Sequence, residues 1–460
     1  MIPLPDQAVS LFLKQRKPGG RRRNRKNHTL KNGSLLDVKP LPLILQSVLI
    51  SGEISSIKAE PRIPATTSAH IRSITTDPIF DRQLYKEVDV KSQFCLVALC
   101  LSLALGWDSS LPVSVFYSPH LHGDPKPSNA VEAIVKAFDT RKLVALGENH
   151  WLQEEADFIA LLIRHPEFSV KVNDIVVEFG NALYQDVIDR YVAGKEVPPT
   201  ELRQVWRNTT QLLAWNPPIY EQFFANVRAI NQTLPASRRL RILLGDPPID
   251  WNKVQTREEI QSFGGQRDQH YARVVEDEVL AKGRKALLIA GGGHFTRNGD
   301  SPINNAGGLI ERGRPKSLFI ILPHTGFLEQ NEQLAPRLES WPKPSLALLK
   351  GTWLGALDAS LAFFDVASRD GGKCLYNPNV GTSIEDKADA YLYLGPGNSL
   401  TRSLPSPDLY KDEAYVKELK RRHKLQGSDF DPASTIAYIM DESSKKFENK
   451  PPFKLQKKCP

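Results

Sequence analysis

Short apolar runs that stop at glycine or at a charged residue recur through the middle of this chain. Leu143–Gly147, Asp174–Phe179, Leu240–Gly245, Ala286–Ala290 and Ser317–Leu322 are too short for ordinary helices. Their apolar positions are consecutive rather than alternating, which suits strands buried on both faces of a parallel sheet. Between them lie segments of helical character: Ala130–Asp139, Glu154–Arg164, Ala182–Val192, Pro198–Ala229 with breaks at Asn216–Pro218, and Gly265–Lys282. Phe158, Leu161 and Leu162 show the helical spacing within the second of these. Strands that alternate with helices predict an α/β fold with a mostly parallel central sheet flanked by helices. Beyond Phe327 the pattern is less regular. Tyr391–Leu394 is expected to be a further strand and Asp412–His423 a charged helix. The α/β domain is therefore placed at residues 129–400, with a helical C-terminal extension over 401–460.

The first 128 residues read differently. The net charge of +8 comes from 60 Lys and Arg against 52 Asp and Glu. Residues 1–40 hold ten of the basic residues and two acids, so the remaining 420 carry 50 of each. A nucleic-acid-binding domain carries its basic patch on the fold itself, and no nucleic-acid partner is expected here. Residues 1–90 are expected to form a disordered N-terminal region, either a basic tail or upstream sequence read in frame from before a start near Val88 or Val90. Lys91–Gly106, KSQFCLVALCLSLALG, has a lysine, an apolar run and small residues at its end, as a secretory signal does. The run is short for a stable membrane span. Its use would make the protein exported, periplasmic or extracellular; otherwise the segment is a buried one and the protein cytoplasmic. Residues 107–128 read as linker. The four cysteines, Cys95, Cys100, Cys374 and Cys459, form no C-x-x-C pair, so neither a zinc finger nor a disulfide framework is indicated.

Candidate chemistry gathers at the strand ends. The first strand delivers Glu148 and His150, the second Glu178, the third Asp246 and the fourth His294. In an open α/β sheet, ligands sit outside the carboxyl ends of the strands, and a parallel sheet lines all these ends along one edge. Taken singly, each residue is as well explained by a cap or a turn. Together, two histidines and three carboxylates at one crevice point to a functional site. Arg267 precedes Tyr271, Val274 and Val275 at helical spacing and so shares their apolar face. It is expected to pair with Glu178 or Asp246, or to clamp an anionic substrate group. No G-x-S-x-G elbow is present and no cysteine lies near these motifs, which leaves water as the nucleophile. It would be activated by a histidine or by a metal. His150, Glu178 and His294, with Asp246 as a further ligand, are the candidate set for a divalent Zn, Mn or Co ion. Glu148 is the candidate general base.

Gly147-x-x-His150 and Gly291-x-x-His294 resemble the paired G-x-x-H motifs of the superfamily that joins erythromycin esterases, haem-binding ChaN proteins, TraB and the TIKI proteases. Glu148 is similar to the acid of the GE-x-H form found in ChaN-like members, Glu178 to the acid of the second strand, and Arg267 to the arginine of the RD-x-x-x-A helix. The resemblance covers about Ala130–Leu322. It implies an α/β core with its site at the sheet edge, and either hydrolysis of a small-molecule or peptide substrate or haem binding. For haem, His150, His294 or Tyr184 would serve as axial ligand. Glu148, His150, Glu178, Arg267 and His294 are the residues expected to carry the reaction. Oligomeric state is left open.

Overall fold

Alternate residues of each central strand serve two different cores, which is why these strands read as continuous apolar runs. In the computed structural model of the chain, the described residues are 122–297, 305–326, 328–363, 367–369 and 374–445. The basic tail, the signal-like segment and residues 107–121 of the linker lie outside them. Ten strands are described: β1 (Ser128–Asn129), β2 (Leu143–Glu148), β3 (Asp174–Asn181), β4 (Arg241–Asp246), β5 (Ala286–Gly291), β6 (Leu318–Pro323), β7 (Ser345–Leu348), β8 (Ala367–Arg369), β9 (Cys374–Tyr376) and β10 (Ala390–Tyr393). Eight of them form one sheet in the order β1-β7-β10-β6-β2-β5-β3-β4, and β8 and β9 pair separately.

The run from β10 to β4 is parallel throughout. β7 pairs antiparallel with both β10 and β1, so the sheet is mixed at one end. Those two additions have only four and two residues. Val144, Leu146, Ile175, Val177, Ile242, Leu244, Leu287 and Ile289 face one core. There they meet α1 (Ala130–Ala137), α2 (Gln153–Ile163), α3 (Gln185–Val192) and α4 (Pro218–Thr233). Leu143, Ala145, Val176, Leu243, Ala286, Leu288 and Ala290 face the other, against α5 (Arg267–Val274) and α6 (Ala306–Gly313). A π-helical turn, Val275–Leu280, continues α5. None of the described helices is long and apolar enough to cross a membrane.

Topology places the crevice. The chain runs from β2 past one position to β3, adds β4 outside it, and returns to fill the gap with β5 before crossing to β6 on the far side of β2. β5 therefore lies between β2 and β3, with Glu148 opposite Gly291 in the register. Glycine is required where these ends crowd. A Cβ on Gly147 would stand 2.9 Å from the Gly292 Cα, and one on Gly245 would stand 2.4 Å from the Tyr271 ring. That ring cannot step aside cheaply, because its hydroxyl donates to the Val176 carbonyl at 2.9 Å.

Candidate functional site

Strand periodicity decides which way the two site glutamates point. Glu148 continues the phase of Val144 and Leu146 and faces α4; Glu178 continues the phase of Val176 and faces α5. Tyr220 of α4 accordingly donates its hydroxyl hydrogen to Glu148 Oε1 at 2.8 Å. Arg267, the first residue of α5, donates to Glu178 Oε1 through Nη2 and to Asp246 Oδ1 through Nε, the latter at 3.1 Å. The guanidinium thus ties the ends of adjacent strands β3 and β4 together. Just there the β3–β4 register shifts between Val177 and Asn181, an irregularity of the kind that re-aims a side chain.

Both carboxylates tied by Arg267 are satisfied. Glu178 Oε2 accepts the Gly291 N–H at 2.8 Å. Asp246 accepts the backbone N–H and the hydroxyl of Thr210 at 2.6 and 2.7 Å. Burial works against the charge of Glu178, but His294, Arg267 and His150 outweigh it and hold its pKa well below the ordinary glutamate range. For Asp246 burial wins, and its pKa is raised despite Arg267 and Thr210. Charge-assisted bonds of this sort are the strong ones.

The two histidines are held differently. His294 follows β5 in a single 3-10 turn. Its Nδ1 is bonded to Asp268 Oδ1 at 2.6 Å, and its Nε2 lies 3.2 Å from Glu178 Oε1. Asp268 is itself fixed by the Ala306 N–H at 2.9 Å. Burial opposes a charge on His294, yet Glu178 and Asp268 raise its pKa to about 9. His294 is therefore an imidazolium at neutral pH. His150 follows β2, and its ring stands edge-on to Trp215 with centroids 4.8 Å apart. Nδ1 lies 3.5 Å from Glu148 Oε2 and Nε2 lies 3.8 Å from Glu178 Oε2. Both distances exceed a hydrogen bond, and neither His150 Nδ1 nor Glu148 Oε2 has another partner. Burial lowers the His150 pKa, but Glu148 and Glu178 more than reverse that and raise it above the ordinary value. The next residue, Trp151, has φ of 70°, a left-handed conformation that a bulky side chain adopts only when its surroundings impose it. Its indole Nε1 donates to the Ala214 carbonyl at 2.6 Å, which pins that turn and with it His150.

The proton on His294 makes stability depend on pH. Its folded pKa of about 9 lies above the ordinary 6.5. The stabilisation is therefore fully present below about pH 6.5 and disappears as pH rises through about 9, by the linkage relation. A shift of that size corresponds to roughly 3 kcal/mol. Urea unfolding at pH 6.5 and pH 9.5 is expected to show a lower midpoint at the higher pH, with a smaller drop for Asp268→Asn; equal drops would break the assignment.

Glu148, His150, Glu178, Arg267, His294 and Asp246 thus converge at the carboxyl ends of β2, β3, β4 and β5. They do not converge as a metal centre. Among the described residues, no group of three or more His, Cys, Asp or Glu is placed to hold a metal ion. The expected set of His150, Glu178, His294 and Asp246 fails for a physical reason. Arg267 pairs with both carboxylates and would repel a cation. Tyr184, the other candidate haem ligand, accepts a hydrogen bond from Asn208 Nδ2 at 2.8 Å. His270, which the helical pattern puts one position off the buried stripe, is half-buried with Nδ1 2.9 Å from the Gly245 carbonyl oxygen.

Sequence reasoning missed Asp268, Tyr220, Thr210 and Trp215. Asp268 was signalled, since it follows Arg267 in the RD-x-x-x-A pattern and opens a helix. Tyr220 and Thr210 reach the site from distant loops and helices, with no local pattern to mark them.

No family model matches the chain, and no curated protein matches it. Among solved structures it is similar to a succinoglycan biosynthesis protein, at 11% identity and a TM-score of 0.41, over 59% of this chain and 94% of that one. It is similar to an erythromycin esterase, EreC, in its open conformation, at 11% identity and a TM-score of 0.37, over 59% and 94%. It is similar also to a ChaN of Campylobacter jejuni described by its cofacial haem binding, at 16% identity and a TM-score of 0.30, over 43% and 87%. The solved structures it is similar to thus include members of two of the groups whose motifs its sequence resembles, the erythromycin esterases and the ChaN proteins.

Proposed function

We propose that this protein is a hydrolase of ester or peptide bonds that works by histidine and carboxylate acid–base chemistry on water. One observation carries the reading: His150 is left without a hydrogen bond between two carboxylates, beside a His294 that is fixed and charged. A base must be free to take a proton, and no hydrogen bond commits the His150 ring. In the forward step water loses a proton to His150 as its oxygen bonds to the substrate carbonyl carbon. The positive charge of the His294 imidazolium, held between Asp268 and Glu178, favours the oxygen that gains charge. On collapse the carbonyl reforms, the acyl bond to the leaving group breaks, and that group takes the proton from His150. Glu148 and Asp268 act as positioning residues, one for each imidazole. No step runs through a metal.

The experiment is a screen of small-molecule esters and short peptides with the purified protein, where turnover above an inactivated control is expected for at least one ester. Haem is the competing occupant, because an uncommitted imidazole such as His150 is also what a haem iron takes as axial ligand. Added haem is expected to give no protein-dependent Soret band. A stoichiometric band together with no turnover would replace hydrolysis by haem binding.

A further inference from the structure

Glu155 sits in the first turn of α2 with 1% of its surface exposed. Its Oε2 accepts the Asn149 N–H at 2.9 Å, while Oε1 has no hydrogen-bond partner. It lines a cavity between α2 and α4, together with Glu148, whose Oε2 is likewise without a hydrogen bond. The walls are apolar: Leu152, Ile159, Phe179, Ile219 and Phe223. Exposed Asp157 and Gln222 stand among the lining residues and mark the solvent side. The lining holds three carboxylates and no Lys, Arg or His. Burial, and then the charge of Glu148, push the Glu155 pKa well above the ordinary range. Buried carboxylate oxygens without donors are costly unless a partner arrives, and an arriving cation is the partner that favours the ionised form which burial and Glu148 here oppose.

We propose that the cavity is a binding site for an organic ammonium: an alkyl or aryl body against the apolar walls, ending in a protonated amine between Glu148 and Glu155. An ammonium carries donors for both unpartnered oxygens, Glu148 Oε2 and Glu155 Oε1, which a carboxylate or a neutral ether does not. Because Glu148 also faces His150, the bound amine lies next to the reacting centre. The cavity is then the subsite that selects amine-bearing substrates, and only this last role rests on the hydrolase reading.

Binding is tested by calorimetric titration at pH 7 with 2-phenylethylamine, 2-phenylethanol and phenylacetate. The amine is expected to bind at least about tenfold more tightly than the alcohol, a difference of about 1.4 kcal/mol, with phenylacetate binding no better than the alcohol. Glu155→Gln keeps an oxygen for the Asn149 N–H and cannot ionise to meet a cation. It should cost the amine about tenfold or more and leave the alcohol within about twofold. Ala156→Leu, which fills the cavity from α2, should weaken both. Equal binding of amine and alcohol, an amine affinity untouched by Glu155→Gln, or ligands indifferent to Ala156→Leu would each overturn the site. Amine binding without ester turnover would sink the hydrolase reading and keep the site; turnover without selective amine binding would do the reverse.

Discussion

Arg267→Met is expected to destabilise the fold by about 3–5 kcal/mol, the largest stability loss of any single change at the crevice. Arg267 is buried, with 7% of its surface exposed, and serves Glu178 and Asp246 at once. Removing it leaves Asp246 with only the Thr210 donors and Glu178 with the Gly291 N–H and the neighbouring His294, in a low-dielectric setting. The methylene stem is largely kept by methionine, so lost packing contributes little. Urea denaturation checks the size of the effect. Adding Glu178→Gln and Asp246→Asn removes the orphaned charges and is expected to restore most of the lost stability. A single mutant within about 1 kcal/mol of wild type would mean that the triad is solvated rather than buried.

His150→Ala is expected to lower kcat/KM about 10²–10⁴-fold, the range over which a positioned acid–base group acts. Its side chain is 16% exposed and makes no hydrogen bond, so the same change should leave the urea midpoint close to wild type. His294→Ala is expected to lose activity as well. The double mutant should be no worse than either single one, because groups acting on one transition state are non-additive. Full activity in His150→Ala would remove the base from the scheme and leave the fold as described.

Why some of this was legible in the sequence and some was not has a physical explanation. Five of the six parallel strands showed themselves because burial on both faces demands consecutive apolar residues. The sixth, β10, showed as YLYL in an otherwise irregular stretch. β1, with two residues, and β7, SLAL, did not. The crevice was readable because a parallel sheet must bring its strand ends to one edge. Arg267 was readable because it shares a face with Tyr271 and Val275. What the residue types could not reveal was who already holds whom. Two histidines and several acids look like metal ligands until Arg267 is seen on Glu178 and Asp246, and Asp268 on His294. Those pairings depend on the β3–β4 irregularity and on the exact start of α5, which no spacing rule encodes. Tyr220 and Trp215, which fix Glu148 and His150, lie far away in sequence.

The metal expectation and the acid–base scheme part company in one experiment. The protein is dialysed against a chelator, its metal content is measured, and hydrolysis of the best ester is followed with and without added Zn, Mn or Co. The expected result is a metal-free protein whose kcat/KM is unchanged by the chelator and by each added ion. Activity that vanishes with the metal and returns with Zn would contradict it, and would require Arg267 to release Glu178 so that a cation could take its place.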